Sequence, residues 1–375
     1  MEQNYNRIIV IAAISLIFIL ITNSYFSFQE SLIYGGSDGR YYLSISDSFP
    51  KFGKDIEYIK GERFFIPYLI GFISKTFNIE TYSTYRYTSL LLIFLFLIIF
   101  FKILNKINLD FHLKIISFFL IIFNPYLLRF FLAVPTLILD LTSIISSLII
   151  VLGFLEKKKN YIYLGFLLSI ISRQEGILFL FTFILSKIFF KKKSLLQTKD
   201  LFGFIILYLL IFSLNTYYAF NSSGNFKEVE SLYYVTLFGI FIDDYKFIEL
   251  IEFLFFPLLS IGPLIAYLVF NKVKFKKLFF NEIVFITIIL TIFMILRTFL
   301  GGPYVTGKNS IRLINFSYPM ILIAINIYYR TENIIFKHKK SLLIFLFLLF
   351  TLWSFHPTFS KVEIFDNIRF LFSNL

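Results

Sequence analysis

A chain of 375 residues that is 58% hydrophobic, with only 16% charged side chains and a mean hydropathy of +0.79, has more apolar surface than a soluble core could hold. Its 36 Lys and Arg against 23 Asp and Glu give a formal charge of +13, and the absence of cysteine excludes disulfides and thiolate metal sites. Apolar runs of about 20 residues recur throughout, enough at ~1.5 Å per residue to cross a ~30 Å hydrocarbon core. They are continuous rather than alternating, so helices and not a closed barrel satisfy the backbone. The expected architecture is an all-α, polytopic transmembrane helical bundle of about 11 spans, with residues 1–375 forming a single membrane domain.

Taken in chain order, residues 8–28 read as the first span. Its apolar core is longer than that of a signal peptide and no small-residue cleavage site follows, which points to an uncleaved anchor. Residues 29–81 form the first extracytoplasmic loop. It opens with a polar island from Glu30 to Arg63 that holds Asp38, Asp47, Asp55, Glu57, Glu62 and the cluster Ser37-Asp38-Gly39-Arg40-Tyr41-Tyr42. Arg63–Phe77 is apolar but contains Pro67 and Gly71, and reads as a helix lying along the outer interface. Residues 82–356 supply the rest of the bundle, with spans at 82–104, 112–134, 135–155, 161–172, 177–190, 201–220, 248–270, 282–299, 311–329 and 341–356.

Charge orients these spans. With the N-terminus inside, cytoplasmic segments collect 20 of the 36 basic residues and six acids, a net of +14; the other face has 16 basic and 17 acidic residues, a net of −1. Basic residues gather in short cytoplasmic loops because inserted topology follows the Lys/Arg bias. The Lys runs are therefore read as orientation signals next to membrane lipids, not as a nucleic-acid surface, and the C-terminus falls on the extracytoplasmic side. The same count resolves 161–190. One tilted crossing there would put the flanking Lys triplets on opposite faces, so a hairpin or re-entrant pair of short helices is expected. Twelve helical residues rise only ~18 Å, which sets the tip, Arg173-Gln174-Glu175-Gly176, below the outer surface.

Ionisable residues on the outer half come from separate segments. Asp38, Arg40 and Arg63 lie in the first loop; Arg129 and Asp140 flank Val134-Pro135; Arg173 and Glu175 occupy the hairpin tip; Asp243 and Asp244 follow in the 221–247 loop; Arg297, Lys308 and Arg312 surround Gly301-Gly302-Pro303-Tyr304. Charged groups at membrane depth pair with each other or line a cavity. Arg173 thus pairs locally with Glu175 or faces a polar site, and Asp140 is either the partner of Arg129 or a second polar group in that site. For Asp38 the competing reading is a capped turn, because Asp-Gly is a common turn dipeptide. The three His residues are dispersed, so no metal site or cofactor is expected, although Asp38 with Asp140 or with Asp243-Asp244 leaves a divalent ion open.

The order of these segments resembles a family. A first span, an outer loop with Asp38-Gly39-Arg40-Tyr41-Tyr42, then Arg63-Phe64-Phe65-Ile66-Pro67-Tyr68-Leu69, Asn124-Pro125 with Arg129 and Pro135, and the pair Tyr161-Ile162-Tyr163-Leu164-Gly165 and Ser172-Arg173-Gln174-Glu175-Gly176 look like the integral-membrane glycosyltransferases of the GT-C superfamily. That superfamily includes the protein O-mannosyltransferases and the lipid A aminoarabinose transferases. The resemblance covers roughly residues 1–200, and the family's frequent Asp-Glu pair reads Asp38-Gly39 here. It implies an inverting transferase in a bacterial inner (plasma) membrane. Such an enzyme takes a sugar from a polyprenyl-phosphate donor and attaches it to an envelope glycan, lipid or protein acceptor at the extracytoplasmic face.

By the same resemblance Asp38 is the catalytic base. Arg40, Tyr41, Tyr42, Arg63, Arg129, Asp140, Arg173, Glu175, Arg297 and Arg312 are the substrate-binding candidates, with Lys308 competing for the donor phosphate. The chemistry agrees: a carboxylate can take the acceptor proton, and guanidinium groups can stabilise the departing phosphate. Two other functions remain open from the residues, a non-enzymatic flippase or carrier for lipid-linked glycans and a polysaccharide polymerase. The polymerase would concentrate its polar groups in a large late outer loop, whereas the first loop is the richest here.

Overall fold

The computed structural model of the chain describes residues 2–23, 36–124, 127–223, 281–300 and 310–331, with single positions 241, 253, 261 and 264; these are helices joined by turns, and no strand occurs among them. Numbered over these residues, the helices are α1 Glu2–Asn23, α2 Gly36–Ser48, α3 Tyr58–Gly61, α4 Phe65–Phe77, α5 Thr81–Ile107, α6 Phe111–Ile122, α7 Leu128–Ala133, α8 Ile138–Glu156, α9 Lys159–Ser172, α10 Ile177–Phe190, α11 Thr198–Ser222, α12 Glu282–Leu300, α13 Ser310–Asn315 and α14 Tyr318–Thr331. Single 3-10 turns at Pro135–Leu137, Gln174–Gly176 and Lys191–Lys193 link α7 to α8, α9 to α10 and α10 to α11. The expected span at 341–356 lies outside the described residues, as does that at 248–270 apart from positions 253, 261 and 264, and so do Asp243, Asp244, Gly301–Tyr304 and Lys308.

By length and composition, three helices among the described residues can cross a membrane: α5, Pro135–Glu156 and α11. They differ in where they sit. The apolar window of Pro135–Glu156 is 100% buried inside the protein, that of α11 only 22%. Thus α8 is the central column, and α11 presents Phe202, Ile206, Leu209, Leu210 and Phe212 outward. α8 packs most closely on α9, where small residues let the backbones approach. A Cβ on Gly165 would stand 2.7 Å from the Ser146 carbonyl oxygen, and one on Gly153 2.7 Å from Ile162. Where lipid gives no hydrophobic drive between helices, such close van der Waals packing is what holds them.

Helix ends follow local chemistry. α4 and α5 stop at Asn78 and Asn108, each in the left-handed region (φ 51° and 58°), a conformation that Asn tolerates better than most side chains. The expected single span at 112–134 is instead interrupted: α6 ends at Ile122 and α7 begins at Leu128. The residue before a proline is driven out of the helical region, and Asn124 precedes Pro125. The Arg129 Nε donates to the Ile122 carbonyl at 3.0 Å, so a carbonyl released at the break finds a partner. A second correction concerns Asp38-Gly39, which does not form a turn. It lies in the first turn of α2, where the carboxylate complements the positive end of the helix dipole.

Ion pairs and hydrogen bonds sort the helix ends into two groups. At one end Lys102 and Lys158 flank Glu156 at 3.2 and 3.1 Å, Lys159 holds Asp200 at 2.5 Å, and Glu282 of α12 accepts from Ser186 at 2.8 Å and from the Leu195 amide at 3.1 Å. Between the Lys triplets at 157–159 and 191–193 lie two short helices, α9 and α10, and Lys159 reaches Asp200 beyond the second triplet. The opposite end gathers α2, α3, α4 and the finish of α11. There the Ser46 hydroxyl donates to the Pro67 carbonyl at 2.7 Å and lies 2.9 Å from the Tyr85 hydroxyl, locking α2 to α4 and α5. The Gly53 amide donates to the Tyr218 hydroxyl at 3.2 Å, the Ile56 amide donates to the Ser222 carbonyl at 3.2 Å, and the Phe64 ring stacks on Tyr218 with centroids 4.2 Å apart.

Gly71 is the tightest crossing at this end, since an added Cβ would fall 2.2 Å from the Ser46 carbonyl oxygen and 2.9 Å from the Phe49 Cβ. Neither neighbour can swing away, one being backbone. Gly71→Ala is expected to force α2 and α4 apart and destabilise the fold by about 1–3 kcal/mol, the usual cost of overpacking. Thermal unfolding of the detergent-solubilised variant measures it, and an unchanged midpoint contradicts the packing described.

Candidate functional site

Five segments converge at the end opposite the lysines. Asp38, in the first turn of α2, is buried and forms an ion pair with Lys60 of α3, the two side chains being 10% and 16% exposed. Two and three residues further along the chain from Lys60 come Glu62 and Arg63, both buried, before α4 begins. The Arg63 Nη1 donates to the Tyr42 hydroxyl at 3.1 Å, and its Nε donates to the Gln174 Oε1 at 3.0 Å. The same Gln174 amide donates to the Glu62 Oε2 at 2.6 Å and to the Ile59 carbonyl at 3.1 Å. Gln174 stands in the turn between α9 and α10, so the hairpin tip grips the segment that carries Lys60.

Arg173, next to Gln174, leaves the helix in an extended conformation (φ −155°, ψ 147°) and pairs with Asp140 in the first turn of α8. Both side chains are 2% exposed. Two charges withdrawn from water to that degree are tolerable only as a hydrogen-bonded pair. The guanidinium also lies 4.9 Å from the Phe316 ring centroid, a cation–π contact that ties in the α13–α14 turn. Below it, the Asn124 amide donates to the Asn315 side-chain oxygen at 3.0 Å, joining the α6–α7 break to the end of α13.

Tyr42 lies at the middle of this arrangement. Burial pushes its phenol up from the ordinary tyrosine value; Arg63 and then Arg173 pull it down, while Asp38 and Asp140 push it further up. One hydroxyl thus feels all four charges, two from the first loop and two from the bundle. Lys60 is held below the ordinary lysine value, first by burial and next by Arg63, with Asp38 opposing both.

Of the residues expected from sequence, Asp38, Tyr42, Arg63, Asp140 and Arg173 come together. Arg129 is buried at the helix break in α7, turned to the Ile122 carbonyl. Tyr41 is half-buried against the core, and Arg40 is exposed. Glu175, Arg297 and Arg312 are described in their backbones alone, within the hairpin turn, α12 and α13. Asp140 and Arg173 pair with each other across 33 residues of sequence, and Arg129 turns instead to the Ile122 carbonyl.

Sequence reading missed Lys60 and Gln174. Lys60 lies between Glu57 and Glu62, and that proximity to acids was the available signal. Gln174 carried none beyond its place at the tip. Among the described residues no three His, Asp or Glu are grouped as a metal ion would need. Compared with protein-family models, curated proteins and solved structures, the chain matches none.

Two measurements follow from this geometry. Arg173→Ala and Asp140→Ala should each cost about 3–5 kcal/mol, because either leaves a buried charge without its counterpart. Arg173→Met with Asp140→Leu should cost much less, and a double-mutant cycle on unfolding midpoints separates the cases. For Lys60 the depressed value means the folded protein gives up this proton at lower pH than the unfolded chain. Its charge therefore costs stability at neutral pH, a cost relieved as pH rises from the depressed folded value toward the ordinary one. Asp38→Asn removes an influence that raises the lysine, so the Lys60 titration should move to still lower pH, read by pH-dependent amine acetylation and peptide mass spectrometry.

Proposed function

We propose that this chain is a membrane glycosyltransferase of GT-C type, moving a sugar from a polyprenyl-phosphate donor to an envelope glycan, lipid or protein acceptor at the extracytoplasmic face of a bacterial inner membrane. In this reading about 11 spans place the lysine-rich end in the cytoplasm and the Asp38 end outside, with α4 along the outer interface and the α9–α10 tip below it. The observation that carries the reading is the gathering of Asp38, Arg63, Asp140 and Arg173 around Tyr42, from three separate stretches of chain.

The chemistry runs as follows. Asp38, ionised beside Lys60 and at the positive end of α2, accepts the proton of an acceptor hydroxyl as that oxygen bonds to the sugar's anomeric carbon. The bond from that carbon to the donor phosphate oxygen breaks, and the phosphate leaves with the electron pair. Arg63 and Arg173 supply the positive field in which that charge develops, in surroundings where burial strengthens it. The acceptor's attack opposite the leaving phosphate inverts the configuration at the anomeric carbon.

A carrier or flippase for lipid-linked glycans is the second reading, and one observation favours it. Two interrupted helices, α6–α7 and α13–α14, meet through Asn124 and Asn315, and transporters place breaks of this kind at their binding sites. Asp38→Asn separates the two. Glycan transfer should fall by ~10²-fold or more when a catalytic base is lost, while a carrier keeps most of its flux. The measurement is mass spectrometry of envelope glycolipids from cells carrying the variant, with insertion checked by membrane fractionation. Full modification by properly inserted Asp38→Asn protein rules the transferase out.

A further inference from the structure

We propose that Gln174 is the positioning residue of this site: its amide holds the segment 59–63 so that Lys60 meets Asp38. The inference rests on the site proposed above but not on the reaction assigned to it. Gln174 makes three hydrogen bonds to that segment, accepting from the Arg63 Nε at 3.0 Å and donating to the Glu62 Oε2 at 2.6 Å and to the Ile59 carbonyl at 3.1 Å. One planar group is therefore matched to a cation, an anion and a backbone oxygen at once. Only a side chain with an acceptor on one side and donors on the other can do this. Glutamate keeps the bond to Arg63, loses both donors and sets a second carboxylate against Glu62.

What Gln174 holds is a short segment with several attachments, and the direction of each decides what it can align. α3 has four residues, and its anchors on α11 include the Gly61 contact with Ala219, where a Cβ would stand 2.9 Å from the backbone, the Ile56 amide on the Ser222 carbonyl, and the Tyr58 side chain against Thr216. Those attach α3 to α11, while Arg63 ties the segment to Tyr42 of α2. Gln174 attaches it to the central column, because the neighbouring Arg173 is pinned to Asp140 of α8. Position is thus transmitted from α8 through Arg173 to the turn, through Gln174 to Ile59, and from there to Lys60 and Asp38. Remove the amide and the alignment of Lys60 on Asp38 loses its link to α8.

The test reads Lys60 directly, in full-length protein purified in detergent. A brief pulse of acetic anhydride at one fixed pH is followed by peptide mass spectrometry, with exposed Lys51 and Lys54 as internal references. Gln174→Leu and Gln174→Glu should raise Lys60 acetylation relative to the references by roughly tenfold, the scale of losing a hydrogen bond to a charged group. Gln174→Glu combined with Glu62→Gln restores a donor–acceptor match, since Gln at position 62 can donate to the new carboxylate. Protection should return to within about threefold of the unaltered protein.

The proposal is overturned if Gln174→Leu leaves the ratio within about twofold, or if the reciprocal exchange protects no better than Gln174→Glu alone. Should Gln174→Leu fail to insert, the comparison of Gln174→Glu with the reciprocal exchange decides by itself. A merely space-filling role predicts equal labelling for those two. Because acetylation needs no substrate, this result and the Asp38→Asn transfer result fail independently of each other.

Discussion

The pairing of Arg173 with Asp140 is the constraint on which the rest of the site depends. Each is 2% exposed, in a part of the protein where a lone charge would be far more expensive than any packing contact could offset. Satisfying both requires the first turn of α8 and the turn between α9 and α10 to stand side by side. That in turn requires α9 to end early, at Ser172, and Arg173 to leave the helix with an extended backbone. The length of α9 is thus the one at which Arg173 reaches the carboxylate.

From that fixed point the site builds outward. Gln174 follows Arg173 and meets Glu62, Arg63 and Ile59; Arg63 reaches Tyr42; Lys60 reaches Asp38. The first loop brings mostly polar groups, yet it is anchored on its other side by aromatic packing. Phe64 stacks between Phe65 and Tyr218, while Phe52 packs on Tyr217 and Tyr218. Packing Phe64, with Phe65 behind it, onto the buried Tyr218 supplies a favourable term that the polar network, which has to recover the hydration it gave up, contributes only weakly. The loop is consequently ordered by apolar contacts and aligned by polar ones.

Much of this fold was legible in the amino-acid order because hydropathy and charge act locally. Lys triplets on both flanks of 161–190 predicted two short helices in place of one long one, and the region holds α9 and α10 with a turn between them. Arg63–Phe77, read as a helix, appears as α4 from Phe65 to Phe77. Asn124-Pro125 carried a breaking signal that hydropathy outweighed, and the 112–134 run was read as continuous although its backbone was not. Which charge meets which was not legible at all. Asp140 and Arg173 are 33 residues apart, Gln174 and Glu62 are 112, and Asn124 and Asn315 are 191. No periodicity encodes such meetings. They follow from helix directions and crossing points, which small residues such as Gly71 and Gly165 set through backbone approach rather than through any chemistry of their own.

The complete enclosure of α8 has a consequence for how the molecule comes into being. A helix with every face covered in the finished protein has no lipid-facing side left, so its neighbours must gather round it and squeeze hydrocarbon chains out. During synthesis α8 emerges before α9 and α10, and Asp140 is delivered ahead of Arg173. For that interval the acid lacks Arg173, the guanidinium it meets in the finished protein. The order of the chain thus imposes an order of assembly: the column waits, and the hairpin that neutralises it arrives afterwards to close the bundle.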